Sequence, residues 1–284
     1  MKKFKPHKPP KISYRPSLIQ QGTSREELEL HNTIRLILPG VQTFRSDRVI
    51  LHGREIDILI PSYKIGIEFN GLRFHSGDDK SKGYHLWKTE EAEKAGYRLI
   101  HIWSDLWENR RAQTVNYLSK LFNKVTVLQS EDVLEISPQE GSSFIEATHI
   151  LGNDLRANKY FGIFYEGSLV VVASFLQEDD KWTLLRISER KSLKVENELS
   201  LIISYIERKY KADQMLAEED RSLFNGRDLP GFKIKSYTSP QCYWTKDYKT
   251  RRLQESNTVE QLKRAGYNQF YDCGKIILEK SPHL

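Results

Sequence analysis

Glu55-Ile56-Asp57-Ile58-Leu59-Ile60-Pro61-Ser62-Tyr63-Lys64-Ile65-Gly66-Ile67-Glu68-Phe69-Asn70-Gly71-Leu72-Arg73-Phe74-His75 is the stretch from which the first half of the chain can be read. Two short isoleucine-rich runs, 55–60 and 65–69, flank a Pro-Ser-Tyr turn and predict a β-hairpin. Side chains alternate along a strand, so Ile65, Ile67 and Phe69 share one face while Glu68 and Asn70 share the other. Asp57 stands apart from Ile56, Ile58 and Ile60 in the same way. A tight hairpin brings the Asp57 and Glu68 faces together. Two carboxylates held that close repel unless a cation or a proton intervenes, so the pattern points to a hard divalent metal, Mg²⁺ or Mn²⁺.

Reading outward, Ser24-Arg25-Glu26-Glu27 predicts a helix start, with Ser24 as N-cap and Glu27 at N3. That helix carries Leu28, Ile34, Ile37 and Leu38 and stops at Pro39-Gly40. Residues 71–83 read as a polar, glycine-containing loop. A helix over about 84–95 ends at Gly96, an alternating apolar strand covers Tyr97–Trp103, and a helix over about 107–122 closes the unit. The order helix, hairpin, helix, strand, helix predicts an α/β core with a mixed sheet.

A length of 284 residues suits two domains. Residues 1–22 carry Lys2, Lys3, Lys5, Lys8, Lys11 and Arg15 with no acid, which accounts for the whole net charge of +6. This Pro-rich basic tail is expected to be disordered, and serves either as an arm along phosphates or as a solvated tail. Residues 130–156 are acidic and broken by Pro138 and Gly141, so a linker is expected between a domain at 23–129 and another at 157–284. The second half predicts strands at 160–166, 168–177 and 181–188, a helix at 195–210, and strands near 213–217, 232–237, 242–246, 268–272 and 275–279, with a helix near 258–265. No apolar run approaches the length needed to cross a bilayer. With only Cys242 and Cys273, neither a disulfide framework nor a zinc site is expected, and a cytoplasmic setting fits (that of the host cell, were the chain phage-encoded).

Asp57, ten intervening residues, then Glu68-Phe69-Asn70 resembles the PD-(D/E)xK nuclease pattern with Asn in place of Lys. Together with Glu27, Asn70-Gly71-x-x-Phe74-His75, Tyr84-His85-Leu86-Trp87-Lys88-Thr89 and Gly96–Trp103, Asp105 and Trp107, residues 24–107 resemble the very-short-patch-repair (Vsr-like) endonucleases, in particular their phage homing relatives. The resemblance implies a restriction-endonuclease-like core and Mg²⁺-dependent, site-specific hydrolysis of DNA. Asp57 and Glu68 would be metal ligands, Glu27 a supporting acid, and His75 a general base or acid. Lys88 would replace the cation missing at Asn70, with His85 on the same helical face. Arg73 and Phe74 would contact DNA.

The second half resembles an α+β acetyltransferase-like (GNAT-like) domain. Its turn before the 195–210 helix, Glu189-Arg190-Lys191-Ser192-Leu193-Lys194-Val195-Glu196, holds no glycine. Backbone amides would then not approach a pyrophosphate, so no acetyl-CoA is expected. DNA recognition is expected instead, through Arg190, Lys191 and Lys194 and through Trp244, Lys246, Lys249, Arg251 and Arg252. Two alternatives stay open: a double-stranded-DNA-binding protein on an inactive nuclease scaffold, and a CoA-dependent acyltransferase. Oligomeric state is left open.

Overall fold

The computed structural model describes residues 24–75, 82–130, 132–212, 214–253 and 258–280. The basic tail over 1–22 lies outside them. In chain order the first unit comprises α1 (Arg25–Ile37), β1 (Phe44–Leu51), β2 (Arg54–Ile60), a 3₁₀ turn (Pro61–Tyr63), β3 (Ile65–Asn70), α2 (Leu72–His75), α3 (Tyr84–Lys94), β4 (Arg98–Trp103), α4 (Ser104–Asn109) and α5 (Arg111–Leu121). The second comprises β5 (Thr126–Leu128), β6 (Asp132–Glu135), α6 (Pro138–Thr148), β7 (Lys159–Tyr165), β8 (Ser168–Glu178), β9 (Lys181–Glu189), β10 (Leu193–Val195), α7 (Glu198–Tyr210), β11 (Gln214–Asp220), β12 (Phe232–Tyr237), β13 (Cys242–Thr245), β14 (Arg252–Leu253), α8 (Val259–Arg264), β15 (Asn268–Tyr271) and β16 (Lys275–Lys280).

Ser24 caps α1 as its sequence position implies, its side chain accepting from the Glu27 amide at 3.0 Å. The first sheet runs β1-β2-β3-β4, antiparallel except for the parallel β3–β4 pair. Both faces are covered. Ile58, Ile60, Ile67 and Ile102 pack with Leu30 and Ile34 of α1 and Leu118 of α5, whereas Ile56, Leu59 and Leu99 pack with Ala92 of α3. The expected single helix over 107–122 is two, because Arg110 leaves the helical region at φ −133°.

The second unit holds a seven-stranded sheet ordered β12-β16-β11-β9-β8-β7-β6. Within it β9 and β11 are parallel, paired from Lys181↔Gln214 to Leu184↔Ala217, with α7 as the crossover. The acidic stretch expected as a linker is structured: β6 pairs with β7, and Ile145 of α6 is buried against Tyr160 and Val172. The chain is thus a mixed α/β protein. No helix among the described residues is long and apolar enough to cross a membrane.

Candidate functional site

Two clefts hold buried carboxylates. The first opens where β9 and β11 part. Their pairing ends at Leu184 and Ala217, yet β9 continues to Glu189 and β11 to Asp220. The wedge between the diverging ends encloses about 400 Å³, walled by Leu185–Glu189, Glu218–Asp220, the start of α7, and Asn116, Tyr117 and Lys120 of α5.

Glu219 is the pivotal group of this cleft. It is 7 % exposed, and one carboxylate oxygen, Oε2, accepts from the Gly226 amide at 2.9 Å. Gly226 sits at φ +72°, and a Cβ there would come within 2.9 Å of Ile234, so glycine is what lets that amide approach. Burial and the neighbouring charge of Asp228 push the Glu219 carboxyl up to about 7, against the opposing charge of Arg98. Arg98 itself pairs with Asp228 at 2.9 Å.

The glycine-free turn between β9 and α7 is bent by other residues: Ser192 and Asn197 adopt φ of +61° and +57°. Its conformation is held by the first half of the chain. The Ser192 amide donates to Asn116 Oδ1 at 3.0 Å, the Thr126 amide donates to the Ser192 carbonyl at 2.8 Å, and β10 pairs in parallel with β5. The Asn197 side chain does not cap α7, and the Glu198 carboxylate, which lines the cleft, bonds its own amide at the start of the helix. Lys194 and Lys120 line the same cleft, with Lys120 bonded to Glu189 at 2.5 Å.

The second cleft, of about 730 Å³, gathers Asp57, Glu68, Lys88 and Glu27 from β2, β3, α3 and α1. Asp57 Oδ2 accepts from the Phe69 amide at 2.7 Å. Glu68, 3 % exposed, is bonded by the buried Lys88 ammonium. Burial pushes the Asp57 carboxyl well above its usual range, with the Glu68 charge adding to it. Burial also raises Glu68 despite Lys88. For Lys88, burial works against the charged form but Glu68 outweighs it, holding the ammonium above its ordinary pKa. Glu27 is raised by burial and pairs with Arg45 at 3.2 Å.

The remaining expected site residues scatter. Asn70 is fully buried, with Nδ2 at 3.0 Å from His101 Nδ1, and does not line the cleft. His85 is likewise buried, edge-on to Trp103 at 4.9 Å and His101 at 5.4 Å. His75 ends α2, and its side chain lies outside the described residues. Arg73, Phe74 and Lys249 line the second cleft, and Phe74 is 72 % exposed.

The expected DNA-contacting set of the second half does not form one surface. Trp244 is fully buried, and Arg251 is held by Asp105 through two bonds of 2.5 Å, so neither is placed to meet a base. Arg190 donates to the Leu169 carbonyl, Lys246 and Arg252 lie over Tyr267, and Lys191 is exposed on the turn beside the first cleft. Glu219, Asp228 and Arg98 were not singled out from sequence. The signal was there in Glu218-Glu219-Asp220 closing an apolar strand ahead of Gly226.

No protein-family model matches the chain, and no curated protein does. Among solved structures it is similar to the ribosomal-protein-S18-alanine N-acetyltransferase of Escherichia coli (12 % identity, 54 % of this chain and 94 % of that one, TM-score 0.32). It is also similar to a GNAT family acetyltransferase of Elizabethkingia anophelis with acetyl-CoA bound (8 %, 53 % and 97 %, TM-score 0.33). A third is a Bacillus subtilis acetyltransferase in complex with CoA (14 %, 54 % and 97 %, TM-score 0.31).

These findings correct the nuclease reading. The neighbours are acetyltransferases, not Vsr-like, PD-(D/E)xK or homing endonucleases. Among the described residues no group of three or more His, Cys, Asp or Glu side chains is arranged to hold a metal ion, and Lys88 engages Glu68 where Mg²⁺ or Mn²⁺ was expected. The expectation that acetyl-CoA plays no part is corrected as well. Neighbours carry CoA or acetyl-CoA, and the turn attains positive φ without the glycine on which that expectation depended.

Proposed function

We propose that the chain is an acyltransferase that moves an acyl group from a coenzyme A thioester, such as acetyl-CoA, to an amine in the cleft between β9 and β11. The observation that carries this reading is Glu219. It is a buried carboxylate at the mouth of a parting parallel pair, with a pKa raised to about 7, the range in which a general base works best. The amides at the start of α7 that follow Glu198, with Lys194 nearby, offer donors and a cation to phosphates. The edge of β9 beyond Leu184, where pairing with β11 has ended, offers backbone groups to the amide-bearing arm of the coenzyme.

The thioester supplies an activated acyl carbon and a thiolate leaving group. Glu219 takes the proton from the amine as its nitrogen bonds to that carbon and the C–S bond breaks. Below about pH 7 Glu219 is protonated and cannot serve, so the rate climbs as pH rises through that value. The test is thiol release from acetyl-CoA in the presence of a primary amine. Glu219→Gln should lose it while still binding acetyl-CoA. Equal rates for wild type and Glu219→Gln would refute the role. A cytoplasmic setting fits free Cys242 and Cys273.

A second reading concerns the other cleft, and we infer double-stranded DNA as its partner. What favours it is a group of bases, Arg54, Arg73 and Lys249, beside the exposed Phe74 at the opening of a cleft whose lining also holds seven carboxylates. Fluorescence anisotropy of a labelled duplex should report binding that weakens steeply with salt. Salt-independent or absent binding would sink it.

A further inference from the structure

The segment that follows the base of the proposed reaction is fastened to the other half of the molecule. Directly after β11, Arg221 reaches Glu90 and Glu93 of α3 at 3.2 and 3.0 Å. The His101 amide of β4 donates to the Ser222 carbonyl at 2.8 Å, and the Leu223 carbonyl accepts both from Arg98 Nη2 at 2.7 Å and from the Tyr117 hydroxyl. The turn then brings Gly226 back to Glu219 and Asp228 to Arg98. Tyr117 also packs edge-on to Phe224 at 5.7 Å. Arg98, Tyr117, Glu219 and Asp228 all line the same cleft.

We propose that Arg98 of β4 and Asp228 of the turn after β11 are a pair of positioning residues that set the proton affinity of Glu219, so that the first unit completes the acyl-transfer site of the second. The inference rests on the assignment of Glu219 as base. The charged and titratable groups around Glu219 are Asp228, Arg98 and, across the cleft, Tyr117, with Glu218 and Asp220 flanking it on β11. Asp228 disfavours a second negative charge beside it and Arg98 favours one, so the ion pair holds two opposing influences at one place. Burial of Tyr117 pushes its hydroxyl up, so it stays neutral and contributes no charge. A purely structural clamp would move activity without moving a titration. A charge pair moves the titration in opposite directions according to which partner is removed.

The experiment is a carbon-detected NMR titration of the Glu219 carboxyl in the full chain, assigned with Glu219→Gln, for wild type, Arg98→Met and Asp228→Asn. Asp228 is 49 % exposed, and asparagine can still accept from Arg98, so that variant keeps its fold and remains decisive if Arg98→Met does not fold. Wild type should titrate near 7. Asp228→Asn should titrate lower and Arg98→Met higher, each by about one pH unit, with the rising limb of the rate profile following. Unchanged Glu219 titration in Asp228→Asn overturns the proposal, as does movement of both variants in the same direction. Opposite movements in a protein that releases no thiol would uphold the pair and refute the acyl-transfer reading. Active variants whose limbs and titrations coincide with wild type would refute the pair alone.

Discussion

The two clefts set buried carboxylates in opposite chemical circumstances. Around Glu68 the charge is answered from within, because Lys88 is buried against it and Asp57 nearby is pushed toward its neutral form. Around Glu219 the nearest cation, Arg98, is turned to Asp228, and the carboxylate keeps one backbone hydrogen bond and a proton affinity near neutrality. The contrast teaches that a cluster of acids becomes a proton-handling site through what is left unanswered. The richer acidic cluster is the more neutralised one, and the single glutamate on β11 is the one poised to exchange a proton.

The largest effect expected from breaking this comparison is at Lys88. Lys88→Met leaves Glu68 buried without its cation and should cost about 3–5 kcal/mol in a denaturant titration at neutral pH. Adding Glu68→Gln should recover much of that loss, since a neutral pair needs no counter-charge. At Glu219 the sign reverses. Its folded pKa lies above the ordinary glutamate value, so the native state holds the proton more tightly than the unfolded chain. The contribution of Glu219 to stability is therefore complete below about pH 4.5 and is lost as pH rises toward 7. Glu219→Gln should accordingly be more stable than wild type above pH 7, by up to about 3 kcal/mol, with the difference fading below about pH 4.5. The same variant should lose about 100-fold or more in acyl transfer. A protein stabilised by a substitution that silences it would sharpen the contrast, and equal thermal stability at pH 8 would blunt it. The smallest effects belong to the rim of the second cleft. Arg54→Ala or Lys249→Ala should each lower the salt-dependence slope of duplex binding by about one, leaving acetyl-CoA binding unchanged.

Legibility from sequence followed the range of the interactions involved. The β2–β3 hairpin, α3 and β4 were visible because a local apolar period defines each, and Ser24 announced α1. The meander β7–β8–β9 and the helix after it were visible for the same reason. β1 was not, since Phe44–Leu51 is interrupted by Ser46 at φ +53° and a register shift between Asp47 and Leu51. β6 and α6 were hidden in an acidic stretch whose structure comes from pairing with β7 and packing on β8, contacts that no local pattern reveals. β5 and β10 pair across 67 positions, which placed them beyond any local reading.

The candidate site divides along the same line. Asp57, Glu68, Lys88 and Glu27 do share a cleft, as strand alternation and helix spacing implied. Alternation could not say whether a metal or Lys88 would answer Glu68. Asn70 and His85 belong to the expected polar face but meet a buried chain of contacts with His101, because β3 is covered on both sides and α3 packs its His85 inward. Glu219 depends on Gly226 and Asp228 folding back after β11 and on Arg98 arriving from 121 positions earlier. The run Glu218-Glu219-Asp220 marks the place in the sequence but not these distant contacts.

Calorimetric titration of acetyl-CoA into the full chain tests the central claim most directly. Saturable one-to-one binding is expected, retained in Glu219→Gln and weakened about tenfold or more by Lys194→Glu, which puts a carboxylate on the exposed turn that lines the cleft. Absence of saturable heat with the wild-type chain, or binding undiminished in Lys194→Glu, would contradict it.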